Sequence, residues 1–107
     1  MVTGKNKKQF EEWFKKNFTE WNLYSKISCI GVYSLPLEMQ LGVFLAYYDS
    51  KGYVIDVMYL FAFKQYTFEL ENKGGNLNLP YKENLFKTRK EAYKEGFKQA
   101  DKLMNSN

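Results

Sequence analysis

Large apolar side chains near the start of the chain fall on one helical stripe. Phe10, Trp13, Phe14, Phe18 and Trp21 recur at helical spacing, so a helix over residues 7–21 lines one face almost wholly with rings. Asn6 stands where a cap belongs, with Gln9 three residues on as its reciprocal partner. Lys7/Glu11, Lys8/Glu12, Glu11/Lys15 and Glu12/Lys16 pair along the opposite side. Each such pair adds about 0.2–0.5 kcal/mol to a helix and marks a solvated face.

The middle of the chain reads as strands. Residues 27–33 form the first, and Ser34-Leu35-Pro36 ends it, because proline cannot donate to a ladder. Residues 41–48, apolar on both sides, form the second. Asp49-Ser50-Lys51-Gly52 is a turn signal with Gly52 free to take positive φ, and residues 53–60 form the third strand. Residues 41–60 are therefore expected to be a hairpin. In the third strand Tyr53, Ile55, Val57 and Tyr59 face one way, and Val54, Asp56, Met58 and Leu60 the other. Residues 66–71 alternate cleanly, Tyr66, Phe68 and Leu70 against Thr67, Glu69 and Glu71, which predicts an edge strand with one wet face. A loop over 72–76 and an irregular stretch over 77–86 follow. Thr88 and Glu91 then form a capping box for a last helix. Ala92, Tyr93, Gly96, Phe97, Ala100, Leu103 and Met104 share its inner face, narrow enough to approach a sheet closely.

These elements predict an α+β fold of order α-β-β-β-(β)-α, an antiparallel sheet with both terminal helices packed on one face. At 107 residues the chain is expected to be a single domain, 1–107. Two helices cover one sheet face, so the second either presents Tyr, Phe and Met to a partner or a second copy, or lies under the 72–87 segment.

Composition narrows the chemistry. Aromatic residues make up 19% of the chain, nine Phe, nine Tyr and two Trp, enough ring area for a core in a short chain. There is no histidine and one cysteine, Cys29. Those counts exclude Ser/His and Cys/His relays, imidazole ligands, an intrachain disulfide and a cysteine zinc site. Glu38, Asp49, Asp56 and Glu69 are the carboxylates beside the apolar middle, and their spacing favours no acid–base or metal pair. The expectation is a protein that is not an enzyme, with no catalytic residue, no metal and no cofactor. Cys29 is read as a small buried residue. A lone cysteine, no secretory leader and no apolar run of membrane-spanning length predict a cytoplasmic protein with no membrane partner.

The formal charge is +4, distributed as +3 over 1–26, −2 over 27–81 and +3 over 82–107. Basic ends of this kind suit phosphates or an acidic protein surface. Fifteen of the sixteen basic residues are Lys, beside nine Asn, a bias that looks like AT-rich coding and argues against base readout by bidentate Arg.

Three resemblances bear on role. Lys51-Gly52-Tyr53 through Tyr59 partly resembles the aromatic octamer of RNA-recognition motifs, but Val54, Asp56 and the element order depart from it. Lys87-Thr88-Arg89-Lys90-Glu91-Ala92-Tyr93-Lys94 looks like the basic helix start of double-stranded-RNA-binding domains. That family's Gly-Pro-x-His loop is replaced here by Ser34-Leu35-Pro36-Leu37-Glu38-Met39-Gln40. The widest likeness rests on Leu35-Pro36, Met39-Gln40, Gly42-Val43, Tyr48-Asp49-Ser50-Lys51-Gly52 and Thr88-Arg89-Lys90-Glu91-Ala92. On these residues the chain is similar to small phage and prophage proteins of Bacteroidota.

That resemblance implies a phage protein acting in the host cytoplasm as a non-enzymatic inhibitor of host defence. Its sharpest form is an anti-CRISPR protein that occludes an RNA-guided nuclease or its guide RNA. Lys87, Arg89, Lys90 and Lys94 are the candidates for meeting guide RNA or an acidic protein patch. Tyr47, Tyr48 and Tyr53 are the candidates for an aromatic contact near the expected hairpin tip. The alternatives are a double-stranded-RNA or general nucleic-acid binder and a homodimeric structural phage protein.

Overall fold

The computed structural model describes residues 1–17, 32–73 and 85–106. Among them are five elements: α1 (Gly4–Asn17), α2 (Leu37–Ser50), β1 (Tyr53–Leu60), β2 (Gln65–Asn72) and α3 (Arg89–Ser106). The class is α+β, with one two-stranded antiparallel sheet among the described residues. Phe18, Trp21, Cys29 and the stretch 74–84 lie outside them, as does most of the strand expected over 27–33. Its last two residues, Val32 and Tyr33, are helical.

The strand expected over 41–48 is instead the body of α2, and the hairpin expected over 41–60 is absent. An unbroken apolar run satisfies both a buried strand and a buried helix. The spacing of the buried residues decides it: Leu41, Phe44, Tyr47 and Tyr48 share one helical face. Pro36, expected to end a strand, is the N-cap (φ −53°, ψ 146°). Its carbonyl accepts from the N–H groups of Met39 and Gln40, at 3.0 and 3.1 Å. The Gln40 side chain reaches back and donates to the carbonyls of Tyr33 (3.0 Å) and Leu35 (2.7 Å), fastening the turn that precedes the helix.

α2 stops at Gly52, whose φ of +89° is costly for residues with a Cβ. The positive φ expected there is present, but it ends a helix rather than closing a hairpin. Lys73 ties the end of β2 to this corner, donating its N–H to the Gly52 carbonyl (2.7 Å) and pairing its ammonium with Asp49 (2.9 Å).

The register pairs Tyr53 with Asn72, Ile55 with Leu70, Val57 with Phe68 and Tyr59 with Tyr66, which unites the faces the alternation predicts. Two backbone bonds between Tyr66 and Phe86, of 2.7 and 2.8 Å, bring the chain alongside β2 before α3 begins. The Thr88 hydroxyl then accepts from the Glu91 N–H (3.2 Å), as its capping position requires.

Rings from all three helices meet in the core. Phe10 lies 4.7 Å from Phe44 and 5.1 Å from Tyr47 between centroids, and Phe97 stacks on Tyr48 at 5.6 Å. α3 crosses the sheet at Gly96, where an added Cβ would sit 2.8 Å from Ile55 Cγ2 and 3.5 Å from Phe68. That is the close approach its small residues predict. Gly96→Ala therefore sets improved helix propensity, up to about 1 kcal/mol, against overpacking of about 1–3 kcal/mol. The expected outcome in urea denaturation is a net loss of about 1 kcal/mol with an unchanged m-value.

Candidate functional site

The seven residues singled out in the sequence are divided by the structure. Tyr47 and Tyr48 are fully buried and Tyr53 nearly so, and with the hairpin expected over 41–60 absent none of them stands near a hairpin tip. Because 41–48 is helical, Tyr47 and Tyr48 turn toward α1 and α3. Tyr47 donates to Asn6 Oδ1 (2.6 Å), and Tyr48 donates to the Met1 carbonyl (2.7 Å). Asn6 Nδ2 donates to Asp101 Oδ1 (2.7 Å) and to the Tyr48 hydroxyl (3.0 Å). Asp101 also accepts from the Thr3 N–H (2.8 Å) and hydroxyl (2.6 Å). Asn6 thus sits inside α1 as a buried connector, not at its start as a cap. No buried side-chain nitrogen or oxygen among the described residues lacks a hydrogen-bond partner. This cluster is a closed structural network.

Three of the four basic candidates lie in the first two turns of α3 and Lys87 just before it, and their surroundings differ. Lys90 is paired with Glu38, and this hydrogen bond holds the Glu38 carboxyl below its usual range. Lys94 shares a shallow groove with Glu91, Glu95, Lys98 and Phe86, where acid and base alternate. Arg89 lies over the ring of Tyr66, 5.5 Å from its centroid. Lys87 is exposed in the bend just before α3.

Arg89 leads to a surface the sequence did not reveal. Tyr66 meets Tyr59 edge-on at 5.1 Å, and Tyr59 meets Phe61 edge-on at 6.4 Å. A ladder of one guanidinium and three rings so runs from the start of α3 to the loop between β1 and β2. That loop is Phe61-Ala62-Phe63-Lys64, closed by Phe63 N–H to the Leu60 carbonyl (3.1 Å) and Lys64 N–H to the Phe61 carbonyl (3.3 Å). Phe61 is 85% exposed, Phe63 63% and Tyr59 47%. Lys64 holds a φ of +53°, a conformation costing a residue with a Cβ about 1 kcal/mol or more. No acidic residue occurs between Val57 and Phe68. The tip is therefore apolar and aromatic with cationic margins at Lys64 and Arg89.

Comparison with family models, with curated proteins and with solved structures returns no match.

The tip is not legible in the sequence because 60–65 has no Gly, Pro, Asn or Asp to mark a turn there. The signal available was the twelve-residue acid-free stretch 57–68. Among the described residues no group of three or more His, Cys, Asp and Glu side chains is placed to hold a metal ion. Asp56 and Glu69 stand opposite one another in the register, a carboxylate pair on the side away from Tyr53, Ile55 and Leu70. No helix of the described residues is long and apolar enough to cross a membrane.

The buried network makes a pH prediction. Burial, aided by the nearby Asp101 carboxylate, pushes the Tyr47 phenol up to about 12 from 10, and burial pushes Tyr48 up as well. A raised phenol stabilises the fold fully below about pH 10, and that contribution is lost as the pH climbs through 12. Denaturation midpoints are expected to hold up to pH 10 and to fall between pH 10 and 12, in step with phenolate absorbance. Tyr47→Phe should flatten part of that fall and lose about 1–2 kcal/mol at neutral pH, because Asn6 Oδ1 loses its donor.

Proposed function

We propose that the protein is a non-enzymatic binding protein that engages its partner through the β1–β2 tip. The observation that carries this reading is the exposure of Tyr59, Phe61 and Phe63 in and beside one four-residue loop, with Lys64 in that loop, Arg89 over Tyr66 and no carboxylate between Val57 and Phe68. Exposed rings at the centre of a patch with cations at its rim are the composition of a binding hot spot. An exposed ring gains little from folding, so this surface is better suited to association than to stability.

The likeness of Leu35-Pro36, Met39-Gln40, Gly42-Val43 and Thr88-Arg89-Lys90-Glu91-Ala92 to small phage proteins supports a finer form of the same reading. In that form the protein inhibits a host defence system, most specifically as an anti-CRISPR protein that seats its tip on an RNA-guided nuclease complex and occludes it. Stoichiometric occlusion asks for a rigid, sticky surface and for no reactive group, and a closed core behind an aromatic tip meets that demand. Duplex RNA binding through the start of α3 has less support, because Lys90 is engaged by Glu38 and Lys94 shares its groove with Glu91 and Glu95.

The test is affinity capture from defence-competent host cells, reading protein and RNA together. The tagged chain is expected to retain a nuclease complex and to lower its interference activity. A Phe61→Ser/Phe63→Ser variant should retain at least tenfold less of it while keeping its stability within about 0.5 kcal/mol, as exposed positions do. Equal capture by chain and variant overturns the assignment of the tip.

A further inference from the structure

We infer that the ligand of the hairpin tip is single-stranded RNA, whose bases stack on Phe61 and Phe63 while Lys64, Arg89 and Lys87 meet its phosphates. This rests on the tip being the binding surface and goes beyond it by naming the ligand class. The arrangement has what sequence-tolerant single-strand binding requires: open ring faces beside cations that follow a backbone. Phe61 and Phe63 stand largely in solvent at the loop. Tyr59 and Tyr66 continue the rings inward at 6.4 and 5.1 Å, and Arg89 closes the row 5.5 Å from Tyr66.

Charge favours a polyanion over an apolar or basic face, and the exposed rings of Phe61 and Phe63 favour unpaired bases over an acidic peptide. Lys64 is the one charged residue of 57–68, and 84–90 holds Lys87, Arg89 and Lys90 with no acid, Lys90 being paired with Glu38. The backbone at Lys64 points the same way. Its φ of +53° is one that glycine adopts freely, yet the position carries a long cationic side chain. A strained residue on an exposed loop is an observation about function rather than stability. A duplex is a poorer fit, because paired bases offer no face to an exposed phenylalanine.

The experiment titrates the full chain into a fluorescent twelve-nucleotide oligouridine and follows anisotropy across salt. Saturable binding is expected, with a log–log salt slope of about −2 for three phosphate contacts on a single strand. Phe61→Ala should weaken it roughly 5- to 150-fold, the range for one lost base stack. Phe61→Leu should weaken it comparably, since leucine keeps apolar area but has no ring face, whereas Phe61→Trp should bind at least as well as the wild type. Lys64→Gly should reduce the salt slope by about 0.7 while raising the melting temperature.

Absence of saturable binding overturns the inference. So does wild-type affinity in Phe61→Leu, equal affinity for a twelve-pair duplex, or binding only to phosphatidylserine vesicles. If oligouridine is ignored while Phe61→Ser/Phe63→Ser still loses the host complex, the tip docks protein; the RNA inference falls and the functional reading stands. If oligouridine binds the tip while host capture is indifferent to the double variant, the reverse holds.

Discussion

The side chain of Asn6 is the point at which the three helices are held to one another. Its oxygen accepts from Tyr47 of α2, and its nitrogen donates to Asp101 of α3 and Tyr48 of α2. A buried amide left unpaired costs about 1–3 kcal/mol, so any sliding of one helix against the others is penalised at several atoms together. Apolar contacts among Phe10, Phe14, Phe44 and Phe97 are non-directional and do not by themselves impose such a restriction. Asp101 extends the restriction to the chain start, gathering Thr3 by both its N–H and its hydroxyl, and Asn105 binds the Asn6 N–H at 3.0 Å.

Fixing that end of the bundle determines what happens at the other. α3 leaves the Asn6 cluster at Asp101, crosses Ile55 and Phe68 at Gly96, and reaches its first residue, Arg89, over Tyr66. Tyr53, Ile55, Phe68 and Leu70 are buried beneath the helices, but Tyr59, the register partner of Tyr66, is half exposed. Eight-residue strands span about 26 Å at 3.3 Å per residue. α3 begins over Tyr66, next to the end of the strands, and the loop beyond carries Phe61 and Phe63 outside the core.

How much of this the chain discloses in advance depends on whether a local pattern has one physical solution or two. The last helix has one: Thr88, Glu91 and a narrow face of Ala92, Gly96 and Ala100 admit no strand, and the structure has α3 there. The alternation at 66–71 likewise admits only a strand, and β2 forms there; Phe68 and Leu70 are buried as expected, but Thr67, expected on the wet face, is buried as well. Residues 41–48 have two, because an apolar run without polar relief is equally a buried helix. The helical spacing of Leu41, Phe44 and Tyr48 was present but masked by Val43, Leu45 and Tyr47 filling the intervals. The misplaced site follows from that one ambiguity: a hairpin at 41–60 puts Tyr47, Tyr48 and Tyr53 near a tip, whereas a helix buries them. Asn6 reads as a cap for a different reason. An asparagine before a helical stripe is ordinarily a cap, and its burial is decided by Tyr47 and Asp101, partners 41 and 95 residues away.

The loop that closes the hairpin sets stability against another demand. Asn-Gly or Asp-Gly closes two strands with the required twist at no steric cost. This chain instead places Phe61 and Phe63 in water and gives the left-handed position to Lys64. Each choice runs against the fold: the rings forgo roughly 25 cal/mol for every square ångström left wet, and the lysine adds backbone strain. Elsewhere the same chain is locally consistent, with Pro36 starting a helix, Gly52 ending one, Thr88 capping a third and Gly96 at the tightest crossing. When a sequence agrees with its fold at these four described positions, the described junction where it does not is where contacts outside the fold have to account for the residues.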